Sequence, residues 1–277
     1  MNGAILLALQ LFCIPLQAGD VYSLENALQN NLSQRNLPIG NLLLVLGTNF
    51  KGVPYLAGTL DEQDREQLVL QAPGLDCFTF VETSLALTIA LKGSGTLEDY
   101  RKALQLLRYR GGVIDGYPSR LHYTCDWAFD NSLKLILKDI TSEIGGEPYP
   151  KQINFMTHHR AAYRQLKSEQ NYHAMQQVEA LINERTRAFI PKEHLRQLEA
   201  KIQNGDVLAI TTSIEGLDVV HVGLAIFINE RLHLLHASSR NKKVEVTSVP
   251  LVEYLANSKS RNGVMVFRPQ EHSTPPR

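Results

Sequence analysis

Between Pro73-Gly74 and the pair Gly93 and Gly95, the chain carries a run with few breakers, Phe78 to Leu91, that is apolar on every helical face. Gly and Pro at both ends mark it as one element, and its length suits a helix rather than a strand. A helix with no polar face is buried. Such a helix dictates the rest of the architecture, because other elements have to cover it. Asp76-Cys77 opens it. Asp is a natural N-cap, and a cysteine in the first turn meets unpaired N–H groups and the positive end of the helix dipole.

The last third of the chain reads as strands. Gly205-Asp206 turns into Val207 to Ile210. Val219 to Ile228 and Leu232 to Ala237 form a hairpin through Asn229-Glu230-Arg231. Val244 to Val246 and Val264 to Phe267 add strands around a helix at Leu251 to Ala256. Earlier, Ser23 to Gln34 has Leu24, Leu28 and Leu32 at helical spacing, Leu42 to Leu46 is apolar, and Gly52-Val53-Pro54-Tyr55 is a loop. Glu66 to Leu70 suits a short strand. Thr96 caps a helix that begins at Glu98-Asp99, and Val178 to Ile182 and Lys192 to Ile202 suit helices. The class is α+β. A chain of 277 residues, 44% hydrophobic, is long enough for one sizeable core, including a main domain that carries a large insertion.

Lys+Arg and Asp+Glu both number 28. This balance offers no electrostatic case for nucleic acid or for an anionic membrane surface. Ala4 to Ala18 is almost wholly apolar and ends in Pro15-Leu16-Gln17-Ala18. It is too short for a stable membrane span and fits a secretory signal cut after Ala18, although no Lys or Arg precedes it. The alternative is a buried N-terminal helix. With a signal, residues 19–277 form a single catalytic domain in an exported protein, and Cys77 and Cys125 are expected to stay free.

An activated thiol needs a stabilised cysteine, an imidazole to take its proton and a third polar group to orient that imidazole. Cys77, His221 and His236 supply this set. The two histidines lie on adjacent strands of the hairpin, which can place their rings side by side. A zinc site from the same residues competes, but no CxxC, HxxxH or HExxH spacing supports it. There is no G-x-S-x-G and no Walker or dinucleotide motif. No cofactor and no metal are expected.

These residues resemble the NlpC-type cell-wall cysteine hydrolases, a papain-like superfamily. The matching motifs are Gly52-Val53-Pro54-Tyr55, Asp76-Cys77, Gly205-Asp206, His221-Val222-Gly223 and His236-Ala237. Two departures stand out. Family endopeptidases continue Asp-Cys-Ser-Gly, where this chain has Phe78-Thr79. Cys77 and His221 are also 144 positions apart, well beyond the minimal domain. The chain is more similar to one branch, the N-acetylmuramoyl-L-alanine amidase-like family, through Leu75 to Glu82, Arg120-Leu121-His122-Tyr123, Asp126-Trp127 and Ile153-Asn154-Phe155-Met156.

The resemblance implies a papain-like core, in which a Cys-bearing helix lies on an antiparallel His-bearing sheet, with a mostly helical insertion at about residues 92–200. It also implies hydrolysis of the bond between the lactyl group of N-acetylmuramic acid and L-alanine, with Cys77 as nucleophile, His221 as base and His236 as orienting residue. The substrate would be a soluble muropeptide, the protein a bacterial periplasmic or secreted monomer. Tyr55 matches a tyrosine lining the family's groove, and Asp76 is a further candidate for substrate binding. Trp127 and Tyr123 are candidates to stack on sugar, Arg120 to bind a carboxylate, Asn131 and Asn154 to read amides, and His158 to reach the site. The rivals are a stem-peptide endopeptidase of the same fold, a non-catalytic muropeptide-binding protein and a papain-like lipid acyltransferase.

Overall fold

The computed structural model describes residues 23–70 and 73–271. The apolar N-terminal segment and its proposed cut after Ala18 lie outside the described residues. Helices α1 (Leu24–Asn31) and α2 (Ile39–Asn49) lead to α3 (Cys77–Lys92), the buried helix, and then to α4 (Leu97–Arg108) and α5 (Thr124–Leu133). Short strands β1 (Leu137–Asp139) and β2 (Glu147–Pro148) precede α6 (Phe155–His158), α7 (Glu169–Asn183), β3 (Ala188–Pro191) and α8 (Lys192–Leu198). The chain then forms β4 (Val207–Thr212), β5 (Val219–Ile228), β6 (Arg231–Ser238), β7 (Lys243–Val246), α9 (Leu251–Ala256) and β8 (Arg261–Pro269).

The strands form one antiparallel sheet in the order β2-β3-β8-β4-β5-β6-β7, with β1 also on β8. This is the expected α+β class. Its two faces carry separate cores. Ala209, Val222, Leu224, Leu235 and Met265 point to α1–α5. Leu208, Ile210, Ala225, Leu234 and Val264 point to α8 and α9. The segment expected to be a mostly helical insertion also supplies β1, β2 and β3, which extend the same sheet beyond β8.

Local sequence explains several boundaries. Asp76 Oδ1 accepts the Thr79 N–H at 2.7 Å, while Thr79 Oγ1 accepts the Asp76 N–H at 2.9 Å. This reciprocal cap starts α3 at Cys77. Thr96 and Asp99 cap α4 the same way. Asn229 and Glu230 both take positive φ, which gives the β5–β6 hairpin a two-residue turn rather than one including Arg231. α3 is not wholly apolar: Glu82, fully buried, is held by Arg108 of α4 at 2.7 Å.

Glu66 to Leu70 is not a strand. Its polar groups are taken by α4 and the residue that follows it: Tyr109 donates to Glu66 at 2.8 Å, Arg108 to the Val69 carbonyl at 2.8 Å and Tyr100 to the Leu70 carbonyl at 2.9 Å. With its backbone acceptors satisfied by side chains, the segment crosses α3 and α4 as an extended strap.

Candidate active site

The site lies where β5 and β6 part. Their pairing stops at Leu224↔Leu235, short of His221 and His236. The Ala225 N–H bonds toward β4, so by strand alternation the Val222 N–H points toward β6, into the gap. The N-terminus of α3 fills that gap. The Cys77 thiol receives the backbone N–H of Val222, and the N–H groups of Cys77 and Phe78 are also directed at the sulfur. Gly223 keeps the gap narrow, since a Cβ there would lie 2.6 Å from the Leu235 carbonyl oxygen.

A β-bulge aims the first histidine. Ile210 pairs with His221 but Thr211 pairs with Val219, so Val220 is an extra residue on β5. Bulges of this kind re-aim side chains next to active sites. His221 Nε2 then lies 2.6 Å from His236 Nδ1, with the rings at 87°. One nitrogen donates to the other. Among the described residues no group of three or more His, Cys, Asp or Glu side chains is arranged to hold a metal ion, so the zinc alternative gains no support. The second nitrogen of His221, Nδ1, takes no part in this contact.

Burial sets the protonation states. It pushes the Cys77 thiol up to about 12, and the neighbouring Asp76 carboxylate adds to this while the three N–H groups oppose it. Burial pulls His221 down to about 3, helped by His236 and by the Arg261 guanidinium. His236 falls to about 4, chiefly through burial, with Glu245 raising it and Arg261 lowering it. The resting site therefore holds a thiol and neutral imidazoles. The helix N-terminus does not by itself make the thiolate, as its position alone suggests; desolvation outweighs it.

Tyr55 joins the site. Its phenol is raised by burial and by the proximity of Cys77 and Asp76. The Tyr55↔Leu75 bridge holds it there, and a Cβ at Gly74 would lie 2.7 Å from the Pro54 carbonyl oxygen, so glycine permits this approach. Lys242 sits over the Tyr55 ring at 5.6 Å. Asp76 is occupied as the N-cap. Asp206 of the Gly-Asp pair binds Arg268 at 2.7 Å and has a structural role in the turn into β4.

The other sequence-proposed binding residues are engaged elsewhere. Arg120, 5% exposed, pairs with Asp61 and approaches Glu66 at 3.6 Å. Tyr123 is buried, donates to Glu179 at 2.7 Å and accepts from the Met156 N–H at 2.8 Å. Trp127, 1% exposed, meets the Phe78 ring edge-on at 5.4 Å. Asn131 is fully buried and donates to the Leu107 and Trp127 carbonyls. Asn154 precedes α6 and bonds through its N–H to Gly216, in the loop before β5. His158 is exposed on α6, with Nδ1 3.0 Å from the Asn154 carbonyl. The structure thus brings Cys77, His221, His236 and Tyr55 together, and sequence reasoning missed Tyr254, Glu245 and Arg261 around them. Tyr254 lies 5.6 Å from His236, ring to ring, and Glu245 is the cross-strand partner of His236. Only the helix holding Tyr254 and the strand holding Glu245 are legible in the sequence.

A cavity of about 910 Å³ lies away from the thiol, lined by Cys125, Phe129, Arg185, Met265 and Phe267 among others. Volume and chemistry disagree here. Cys77, His221 and His236 do not line that cavity. Cys125, like Cys77, is a free thiol, and its N–H donates to the buried Asp218 at 2.8 Å.

The family described as N-acetylmuramoyl-L-alanine amidase-like matches residues 45–264. An N-acetylmuramoyl-L-alanine amidase from Bacteroides uniformis is 35% identical, with a TM-score of 0.78 over 84% of this chain and 99% of that one. A Bacteroides fragilis protein proposed to be a xylanase is 38% identical, with a TM-score of 0.75 over 80% and 98%. A Legionella pneumophila protein at 24% identity shares the fold, with a TM-score of 0.65 over 90% and 95%. No curated protein matches.

Proposed function

Because the chain belongs to the N-acetylmuramoyl-L-alanine amidase-like family, we propose that it is a cysteine amidase that cleaves the bond between the lactyl group of N-acetylmuramic acid and L-alanine in soluble peptidoglycan fragments. The observation that carries this reading is the Cys77 thiol at the capped start of α3, facing a strand whose His221 is hydrogen-bonded to His236. The same arrangement supports a papain-like core of the NlpC type, with residues 92–200 built onto it. An exported, periplasmic or secreted site of action fits a cell-wall substrate. Among the described residues no helix is long and apolar enough to cross a membrane.

In this reading the proton leaves Cys77 only as the new bond forms. Cys77 Sγ attacks the lactyl carbonyl carbon while His221 Nδ1 takes the thiol proton, so charge develops only as the carbon–sulfur bond forms. The oxyanion is received by the N–H groups at the start of α3, with the Tyr55 hydroxyl in reach. His236 holds the His221 ring through the 2.6 Å contact and shares the developing positive charge. His221 then protonates the L-alanine nitrogen as the C–N bond breaks. Water, deprotonated by the same imidazole, hydrolyses the thioester and restores the thiol.

The Phe78-Thr79 departure also fits. Thr79 completes the cap and Phe78 packs on Trp127. No serine follows Cys77 to hold the free amino terminus of a stem peptide, which argues against endopeptidase action. The test is to incubate wild type and Cys77→Ala with a disaccharide-tetrapeptide and identify products by mass spectrometry. Intact disaccharide and intact peptide, absent with the alanine variant, support the amidase. Cleavage within the peptide refutes it.

A further inference from the structure

Arg261 opens β8 beside this site, and a second bulge places it there. Thr211 pairs with Gly263 but Thr212 pairs with Arg261, so Asn262 is an extra residue on β8. Beyond it, Arg261 turns to α9. Its guanidinium carbon lies 4.1 Å from the Tyr254 ring centroid, and Nη1 donates to the Tyr254 carbonyl at 2.7 Å. Stacking and a carbonyl acceptor fix the plane of the fork without neutralising it. Arg108, Arg110, Arg120, Arg185 and Arg268 each hold a carboxylate, whereas Arg261 forms no ion pair among the described residues.

That charge stands close enough to His221 and His236 to oppose protonation of both. An oriented, unpaired cation beside two imidazoles disfavours the catalytic proton transfer in the empty site. A ligand anion on Arg261 removes that opposition. The planar fork matches a carboxylate in two parallel hydrogen bonds, while Lys242 over Tyr55 is an exposed point charge on a flexible stem.

We propose that Arg261 is the anion-binding residue of this site and takes a carboxylate of the substrate's peptide portion beside Cys77. The identity of that substrate rests on the amidase reading; the anion subsite rests on the geometry of Arg261. Tyr254 forms the wall on which the fork lies.

The experiment compares one muropeptide with its peptide carboxylates free and the same muropeptide with them amidated, using wild type, Arg261→Gln and Arg261→Lys. Wild type should prefer the free acid by about 10- to 100-fold in kcat/KM, the range expected of hydrogen bonds to a charged group. Arg261→Gln should erase that preference by raising KM for the acid and, with the cation gone, raising kcat for the amide. Arg261→Lys, which keeps charge without the fork, should fall between. Equal turnover of acid and amide by wild type, or an equal loss on both in Arg261→Gln, overturns the proposal. If wild type cleaves neither, the amidase reading fails and calorimetric binding of the free peptide and its amide decides Arg261 separately. A preference for the acid that Arg261→Gln abolishes keeps the anion site, and no preference removes it.

Discussion

His221 Nε2 and His236 Nδ1 lie 2.6 Å apart across two strands whose ladder has already ended. The contact therefore does what backbone pairing no longer does there. It restrains the His221 ring through one nitrogen and leaves Nδ1 outside the contact. His236→Ala should lower kcat by about 100-fold or more with little change in KM, since it removes the orientation of a general base rather than a binding contact. Steady-state kinetics on a muropeptide check this. A rise in KM at constant kcat would instead place His236 in binding.

The thiol pushed up to about 12 leaves Cys77 protonated at neutral pH. Alkylation of Cys77 by iodoacetamide should be slow at pH 7 and rise steadily through pH 9, with no plateau at low pH. A rate already flat from pH 5 would mean a preformed thiolate–imidazolium pair. Peptide mapping separates Cys77 from Cys125, whose thiol is also pushed well up by burial and by Asp218.

Folding stability should depend on the same histidines. Both folded values, about 3 for His221 and about 4 for His236, lie below the ordinary 6.5. From pH 6.5 down toward 4, the unfolded chain takes up protons that the folded chain refuses. Their contribution is thus complete above 6.5 and lost progressively as pH falls. Urea denaturation at pH 7.0 and 4.5 should show this loss, and His221→Gln/His236→Gln should show less of it. Some slope will remain, because buried His122 is shifted in the same direction.

Arg120→Ala should act on the fold. It leaves Glu66, whose side chain is 3% exposed, without its nearby cation and frees Asp61. A stability loss of about 3 kcal/mol is expected from breaking such a buried pair. KM for muropeptide should stay near the wild-type value while the melting temperature drops. A raised KM at unchanged stability would return Arg120 to the binding groove.

The capped start of α3 was legible because Asp76 and the apolar run to Leu91 each carry a local signal; the reciprocal role of Thr79 emerged only from the structure. The β5–β6 hairpin was legible for the same reason. The bulges at Val220 and Asn262 were not, since a bulge is a mismatch in the pairing of two strands and neither residue type marks it. That is why Arg261 went unnoticed. Arg120, Tyr123, Trp127 and Asn131 show the opposite difficulty. Donors and aromatic rings suited to a ligand are equally suited to one another, and here Glu66, Glu179, Phe78 and the Leu107 carbonyl take them. Glu66 to Leu70 has strand-like residues, but side chains from α4 and Tyr109 satisfy its carbonyls and carboxylate.

Acid quench of a single turnover, followed by mass spectrometry of the Cys77 peptide, tests the proposed chemistry most directly. The expected adduct is the muramyl-containing sugar joined through its lactyl carbonyl as a thioester, carrying no amino acid. An adduct that includes L-alanine or further stem residues would place cleavage within the peptide and contradict the amidase assignment.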